Sequence, residues 1–186
     1  MRPEFFGDSY DIVKRFLIKN LSSFGPWTVH PMFTSNAARI AGSFSDFLRA
    51  PLASTAVLSS KSARAESIQK CRGTGNLFLD PDTGVFCKKA PNSPSRKHVY
   101  AEELVDLVLA RRGSLTAVYD QSFRRGDVRA QLKRKLWYFG RRRVIGFAYQ
   151  SHACFLVLAA NVGIVREAKE RLLAVGLPSN RLIGPI

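Results

Sequence analysis

Strand signals that alternate with helical ones predict an α/β fold around a mostly parallel sheet. Two observations carry that prediction. Short apolar runs bounded by turn residues recur along the chain, and between them lie periodic segments of about 10 to 13 residues with recognisable starts and stops. A third observation concerns the C-terminal half, where two apolar runs separated only by Gln150-Ser151-His152 predict an antiparallel strand pair.

The elements follow in order. Phe5-Phe6 is a short apolar entry. Asp8 is placed to cap a helix whose apolar residues are Ile12, Val13, Phe16, Leu17 and Leu21, with Asp11 in the first turn and Gly25-Pro26 as the stop. Trp27 to His30 reads as a strand that Pro31 ends. From Thr34 to Gly75 the small residues give little periodicity; a short helix over Ser45 to Leu48 and a strand over Thr55 to Leu58 are the expectations there. Asn76 to Leu79 is a buried strand breaking into the turn Asp80-Pro81-Asp82-Thr83-Gly84, and a polar loop, Lys88 to Lys97, follows. A helix with Glu102 and Glu103 in its first turn carries Leu104, Val105, Val108 and Leu109, and ends at Arg111, Arg112 and Gly113. Ser114 to Tyr119 is a strand with Asp120 at its C-terminal end. Asp127 caps a basic amphipathic helix with the stripe Val128, Leu132, Leu136 and Phe139, ended by Gly140. Val144 to Tyr149 and Ala153 to Ala159 are the paired strands. Asn161 opens a last helix with Ile164, Val165, Ala168, Leu172 and Leu173, which Gly176 ends.

Composition bounds the function. The chain has 186 residues, the length of one domain, read as 1–186. A hydrophobic fraction of 46% excludes a wholly disordered basic tail. No stretch approaches the ~20 apolar residues of a membrane span, and the N-terminus shows no signal-peptide pattern, so no membrane partner is expected. Cys71, Cys87 and Cys154 are an odd set with no CxxC pair, which fits reduced thiols in a cytoplasm. Within an apolar strand, Cys154 reads as buried rather than nucleophilic. His30, His98 and His152 are too few and scattered to define a zinc site, and no G-x-S-x-G elbow supports a hydrolase around Ser122 or Ser151.

Charge is the strongest functional signal. There are 29 Lys plus Arg against 14 Asp plus Glu, a formal net charge of +15. Between Arg111 and Arg143 eleven basic residues face only Asp120 and Asp127. Clustering of this kind attracts phosphates and releases counterions, so a nucleic acid, DNA or RNA undecided, is the expected partner, the alternative being a solvated helix surface. Arg124, Arg125, Arg129, Lys133, Arg141, Arg142 and Arg143 are the expected phosphate track. Phe123-Arg124-Arg125 and Trp137-Tyr138 interleave rings with cations, which suits stacking on bases and equally suits packing beneath the helix.

A parallel sheet binds ligands outside the carboxyl ends of its strands. Asp80, Asp82 and Asp120 fall at that edge, and Asp8 joins them if the Phe5-Phe6 entry is a strand; these four are the candidate catalytic residues. As oxygen donors beside a basic face they would suit Mg²⁺ and a nuclease. Each also has an ordinary reading: Asp8 as a helix cap, Asp80 and Asp82 as turn formers beside Pro81 and Gly84, Asp120 as a turn or ion-pair residue.

The strand ending in Asp80-Pro81 is similar to the Asp-Pro-Pro-aromatic motif of class I S-adenosylmethionine-dependent methyltransferases, which positions a target amine. Ser114 to Tyr119 resembles their next strand, and Val144 to Ala159 their terminal antiparallel pair. Gly7 to Lys14, His30-Pro31-Met32-Phe33-Thr34, Phe78-Leu79-Asp80-Pro81-Asp82-Thr83-Gly84 and Tyr119-Asp120-Gln121-Ser122 resemble a bacterial family of no assigned activity, distantly similar to the three-Cys-motif partner proteins. The methyltransferase resemblance implies a single three-layer Rossmann-like domain and makes S-adenosylmethionine one candidate cofactor beside Mg²⁺, the cofactor staying open; the bacterial family supplies no catalytic residues. Two departures stand beside it. The strand Trp27 to His30 is followed by Pro31-Met32-Phe33-Thr34 with no glycine before Gly42, and Asp82-Thr83 replaces the Pro-aromatic pair. The expectation is therefore a nucleic-acid-associated, methyltransferase-like protein acting at the Asp-Pro-Asp-Thr-Gly loop or degenerate there. The alternatives are a Mg²⁺-dependent nuclease and a non-enzymatic module that binds nucleic acid or protein.

Overall fold

The computed structural model describes residues 6–35, 38–87 and 95–184. A six-stranded sheet runs in the order β1 (Trp27–His30), β2 (Asn76–Leu79), β5 (Thr116–Asp120), β7 (Cys154–Ala159), β6 (Ile145–Gln150), β8 (Leu182–Ile183). The pairs β1–β2 and β2–β5 are parallel. Strand β7 is antiparallel to both its neighbours, and β8 is antiparallel to β6. Four strands thus share one direction, and β6 and β7 form the expected hairpin. Two further strands, β3 (Gly84–Phe86) and β4 (His98–Tyr100), pair in parallel beside the main sheet.

Side chains alternate between the faces of a strand, and both faces are buried. One carries Val29, Phe78, Ala117, Phe147, Phe155 and Val157. It packs on α1 (Ser9–Asn20), α2 (Ala38–Leu48) and α6 (Val162–Ala174). The other carries Leu77, Leu79, Val118, Ala148, Leu156 and Leu158, packed on α4 (Ala101–Ala110) and α5 (Val128–Gly140). Burying a Leu or Phe fully stabilises by ~1.5–3 kcal/mol, so these two layers supply the main driving force for folding. Among the described residues no helix is long and apolar enough to cross a membrane.

Caps form where Asp, Asn and Ser precede helices. Asp8 accepts the backbone N–H groups of Tyr10 and Asp11, Asp127 that of Ala130, and Asn161 those of Gly163 and Ile164. Helix α3 (Lys61–Gln69), capped by Ser60, lies in the stretch where the sequence has little periodicity. Its Arg64 forms a two-bonded pair with Glu103 at 2.8 and 2.6 Å, and its Ser67 meets His30 at 2.7 Å. Those partners, rather than an amphipathic pattern, hold it.

Several expectations need correction. Phe6 lies in a turn rather than a strand, and Phe5 lies outside the described residues. On α1, Ile12 is 60% exposed, while Leu17, Ile18 and Leu21 are buried. Helix α2 starts at Ala38, well before Ser45. Thr55 to Leu58 is not a strand, because the outer edge of β1 is already taken. Val29 donates to Pro51 O at 2.9 Å and accepts from Ala53 N at 2.8 Å. Of the loop Lys88 to Lys97, residues 88–94 lie outside the described residues. Strand β5 includes Asp120, which the sequence places just beyond it.

Candidate functional site

The carboxyl edge of the parallel strands gathers His30, Asp80 and Asp120 at the ends of β1, β2 and β5. All three are buried, at 0–2% exposure.

Asp80 follows Phe78 by two residues and therefore faces α1. There Lys14, itself 4% exposed, places its ammonium 2.8 Å from Asp80 Oδ2 and 2.7 Å from Asp11 Oδ1. Asp11 also accepts the Gly7 N–H at 2.8 Å. The ammonium lies 5.2 Å from the centre of the Tyr119 ring and 5.9 Å from that of Phe44. Burial pushes the Asp80 carboxyl up, and Lys14 offsets only part of that push. Burial alone would lower Lys14, but Asp80 and Asp11 outweigh it and hold the ammonium above its ordinary value. A lysine held charged between two carboxylates is neither a nucleophile nor a base. Tyr119 is held protonated by burial and then by the nearby Asp80 charge. Outside it, Tyr10 stacks on His152 with ring centres 4.8 Å apart.

Asp120 follows Val118 by two residues and faces the opposite side of the sheet, toward α5. Lys135 of α5 donates to Asp120 Oδ2 and, at 2.8 Å, to Ser122 Oγ. Asp120 Oδ1 accepts the Val85 N–H at 3.0 Å and the Ser122 N–H at 3.1 Å. The Asp-Pro-Asp-Thr-Gly loop is thereby sewn to the β5 turn, with Gln121 N also donating to Thr83 O at 2.8 Å. Gly84 makes the approach possible: at φ +129° a Cβ would lie 2.3 Å from Asp120 Oδ1 and 2.8 Å from its Cα. Ser122 Oγ lies within donating distance of Asp120 Oδ1, at 2.7 Å, and of Val85 O, at 2.6 Å, so its hydroxyl is tied into the same cluster.

The strand-end carboxylates are thus divided between two faces. Asp8 is used as a cap and Asp82 is half-buried in the loop. Among the described residues no group of three His, Cys, Asp or Glu side chains is gathered as a metal would require. His30 donates or accepts within the fold: Met32 N donates to Nδ1 at 3.0 Å, so Nε2 carries the proton toward Ser67. Burial depresses its pKa to about 4. The thiols of Cys71 and Cys154 are pushed up to about 12 and that of Cys87 to about 11, in each case chiefly by burial, which removes them as nucleophiles.

The basic segment is different in kind. Arg124, Arg125, Arg129, Lys133, Arg141, Arg142 and Arg143 are all exposed. Arg111 and Lys135, from the same charge cluster, turn inward: Arg111 bonds the carbonyls of Cys71, Thr74 and Gly75. Along α5 a row spaced by four residues runs Arg129, Lys133, Trp137 and Arg141. Trp137 is 64% exposed, with the Arg141 guanidinium 5.1 Å from its ring centre. Tyr138 packs edge-on against Phe139 and carries Arg142 at 3.6 Å. Trp137 is the more exposed of the two rings, Tyr138 being half-buried.

Sequence reasoning missed Asp11, Lys14 and Lys135 as members of the strand-end clusters. Lys14 had a signal, since it lies three, four and seven residues before Leu17, Ile18 and Leu21 and so shares their buried stripe. Compared with known proteins, the chain finds no matching family model, no similar curated protein and no similar solved structure.

Proposed function

We propose that this chain is a nucleic-acid-binding protein built on a methyltransferase-like frame whose catalytic edge is degenerate. One contrast carries the reading: the seven basic residues on and around α5 are exposed, while Asp80 is paired with the buried Lys14 and Asp120 with the half-buried Lys135. The strand order β1-β2-β5-β7-β6, with β7 reversed and helices on both faces, supports the three-layer Rossmann-like arrangement. Two features support the loss of catalysis. The turn after β1 is Pro31-Met32-Phe33-Thr34, without the glycines that let a backbone approach a nucleoside. And the position at which the resemblance implies a target amine, beside Asp80, is filled by the chain's own Lys14 ammonium.

Binding is tested by the salt dependence of affinity for an oligonucleotide. Arg129→Glu with Lys133→Glu should lower affinity at least tenfold. For duplex DNA it should flatten the slope of log K against log salt by about 1.8, two contacts at ~0.9 each. Unchanged affinity and slope overturn the reading. The degenerate edge is tested by melting with S-adenosylmethionine, for which no stabilisation is expected. A ligand at a hundredfold excess over its Kd adds about 2.7 kcal/mol, and a rise of that order restores the enzyme reading.

A further inference from the structure

The row on α5 specifies more than a charge. Trp137 is a large, rigid, exposed ring midway along it, flanked at four-residue spacing by Lys133 and Arg141. Beside it a cleft of ≈ 610 Å³ opens between α5 and the residue after β8. Lys133, Leu136, Trp137, Gly140, Arg141 and Gly184 line it. Its volume falls in the range of small-molecule sites, ~300–1,000 Å³. Leu136 gives it a buried apolar wall, and the cations Lys133 and Arg141 are exposed beside it.

Each part has a counterpart in an unpaired nucleotide. A π-face and an apolar wall suit a base, and two cationic residues rooted about 6 Å to either side of Trp137 along the helix axis, four residues at ~1.5 Å each, suit the flanking phosphates, the Arg141 guanidinium already lying 5.1 Å from the ring centre. Arg129 extends the row by another turn and is fixed by a 2.8 Å bond to Asn180 O. Duplex nucleic acid cannot use this arrangement, because its bases already stack on one another. Bare charge recognition of a duplex would leave Trp137 without a role, whereas a protein partner would not account for the line of cations without an acidic counterpart.

We infer that α5 binds single-stranded nucleic acid, with one unpaired base stacked on Trp137 in the cleft and the adjoining phosphates held by Lys133 and Arg141. The inference rests on the nucleic-acid reading above and adds the class of ligand.

The test compares a 12-nucleotide single strand with a duplex of the same length by fluorescence anisotropy, using the whole chain, Trp137→Ala, Trp137→Phe and the Arg129→Glu/Lys133→Glu pair. Trp137→Ala should weaken single-strand binding about five- to 150-fold, the range of one base–ring stack, and leave the salt slope and duplex binding unchanged. Trp137→Phe should restore most of the loss. Intrinsic emission gives a second readout, because the other tryptophan, Trp27, is only 5% exposed: the single strand should quench the parent protein and not Trp137→Phe. Should Trp137→Ala bind single strands normally while the charge-reversed pair binds poorly, stacking is wrong and the nucleic-acid reading survives. Equal losses for single strand and duplex also overturn the inference. If neither variant changes binding, the nucleic-acid reading falls with it, and a protein partner for this face becomes the next candidate.

Discussion

Replacing Lys14 with Met keeps most of the side-chain volume and removes the cation held between Asp11 and Asp80. In the parent protein the ammonium lies 2.7 and 2.8 Å from the two carboxylates, and all three side chains are 5% exposed or less. Without it, two carboxylates share a buried site. Asp11 keeps the Gly7 N–H, so the larger part of the cost falls on Asp80. Stranding a buried charge by removing its partner costs ~3–5 kcal/mol. For a chain of this size each kcal/mol lowers Tm by ~2–4 °C, which predicts a fall of about 6–20 °C. Calorimetry or urea unfolding at pH 7 measures it. The double variant Lys14→Met/Asp80→Asn removes the stranded charge and should recover at least about half of the loss. The pH arm has a definite sign. Burial already raises Asp80, so the folded state binds the extra proton and the penalty in Lys14→Met should shrink as pH falls toward 5. Nucleic-acid affinity, read well below Tm, should not change. A Tm within ~2 °C of the parent, or a penalty equal at pH 5 and pH 8, refutes the reasoning.

Two further outcomes follow from single positions. His30, buried neutral with its pKa depressed to about 4, binds fewer protons folded than unfolded. Stability should therefore fall as pH drops from about 6.5 to 4, by up to about 3 kcal/mol at 1.36 kcal/mol per unit. His30→Gln should flatten that part of the profile; an equally steep profile in the variant assigns the slope elsewhere. Gly84→Ala places a Cβ 2.3 Å from Asp120 Oδ1 and 2.8 Å from its backbone, at φ +129°. It should cost ~2–4 kcal/mol by thermal unfolding. Gly113→Ala, where nothing lies within 4 Å, should stay within ~0.5 kcal/mol. Equal effects at the two glycines contradict the close packing of the loop on Asp120.

The fold was legible wherever local signals agree with tertiary ones. Strands β1, β2, β5, β6 and β7 are apolar runs bounded by turn residues, and Asp8, Asp127 and Asn161 cap the helices they precede. Helix α3 was not legible, because it is held by Arg64–Glu103 and Ser67–His30, contacts across more than thirty residues of sequence. Strands β3 and β4 are three residues each and acquire meaning only from each other and from Asp120. The carboxylates show the limit most clearly. Strand parity alone puts Asp80 with Phe78, but reading β5 as ending at Tyr119 removes Asp120 from the strand and hides that it faces the other way. The four aspartates read as one edge are thus divided: Asp80 and Asp120 in two separate ion-pair sites, Asp8 in a helix cap and Asp82 in the loop. The exposed charges Arg129 and Lys133 needed no such inference, since they lie on α5 away from its buried stripe Leu132, Leu136 and Phe139.

Both rims of the six-stranded sheet are closed by fragments too short to be strands of consequence. Residues 51–53 occupy the free side of β1, and the two residues of β8 bond to Ala148 and Tyr149 on β6. A bare rim is a template for another chain's backbone. Short stoppers at each end deny that template to copies of the protein, so two such molecules can meet without their sheets joining edge to edge.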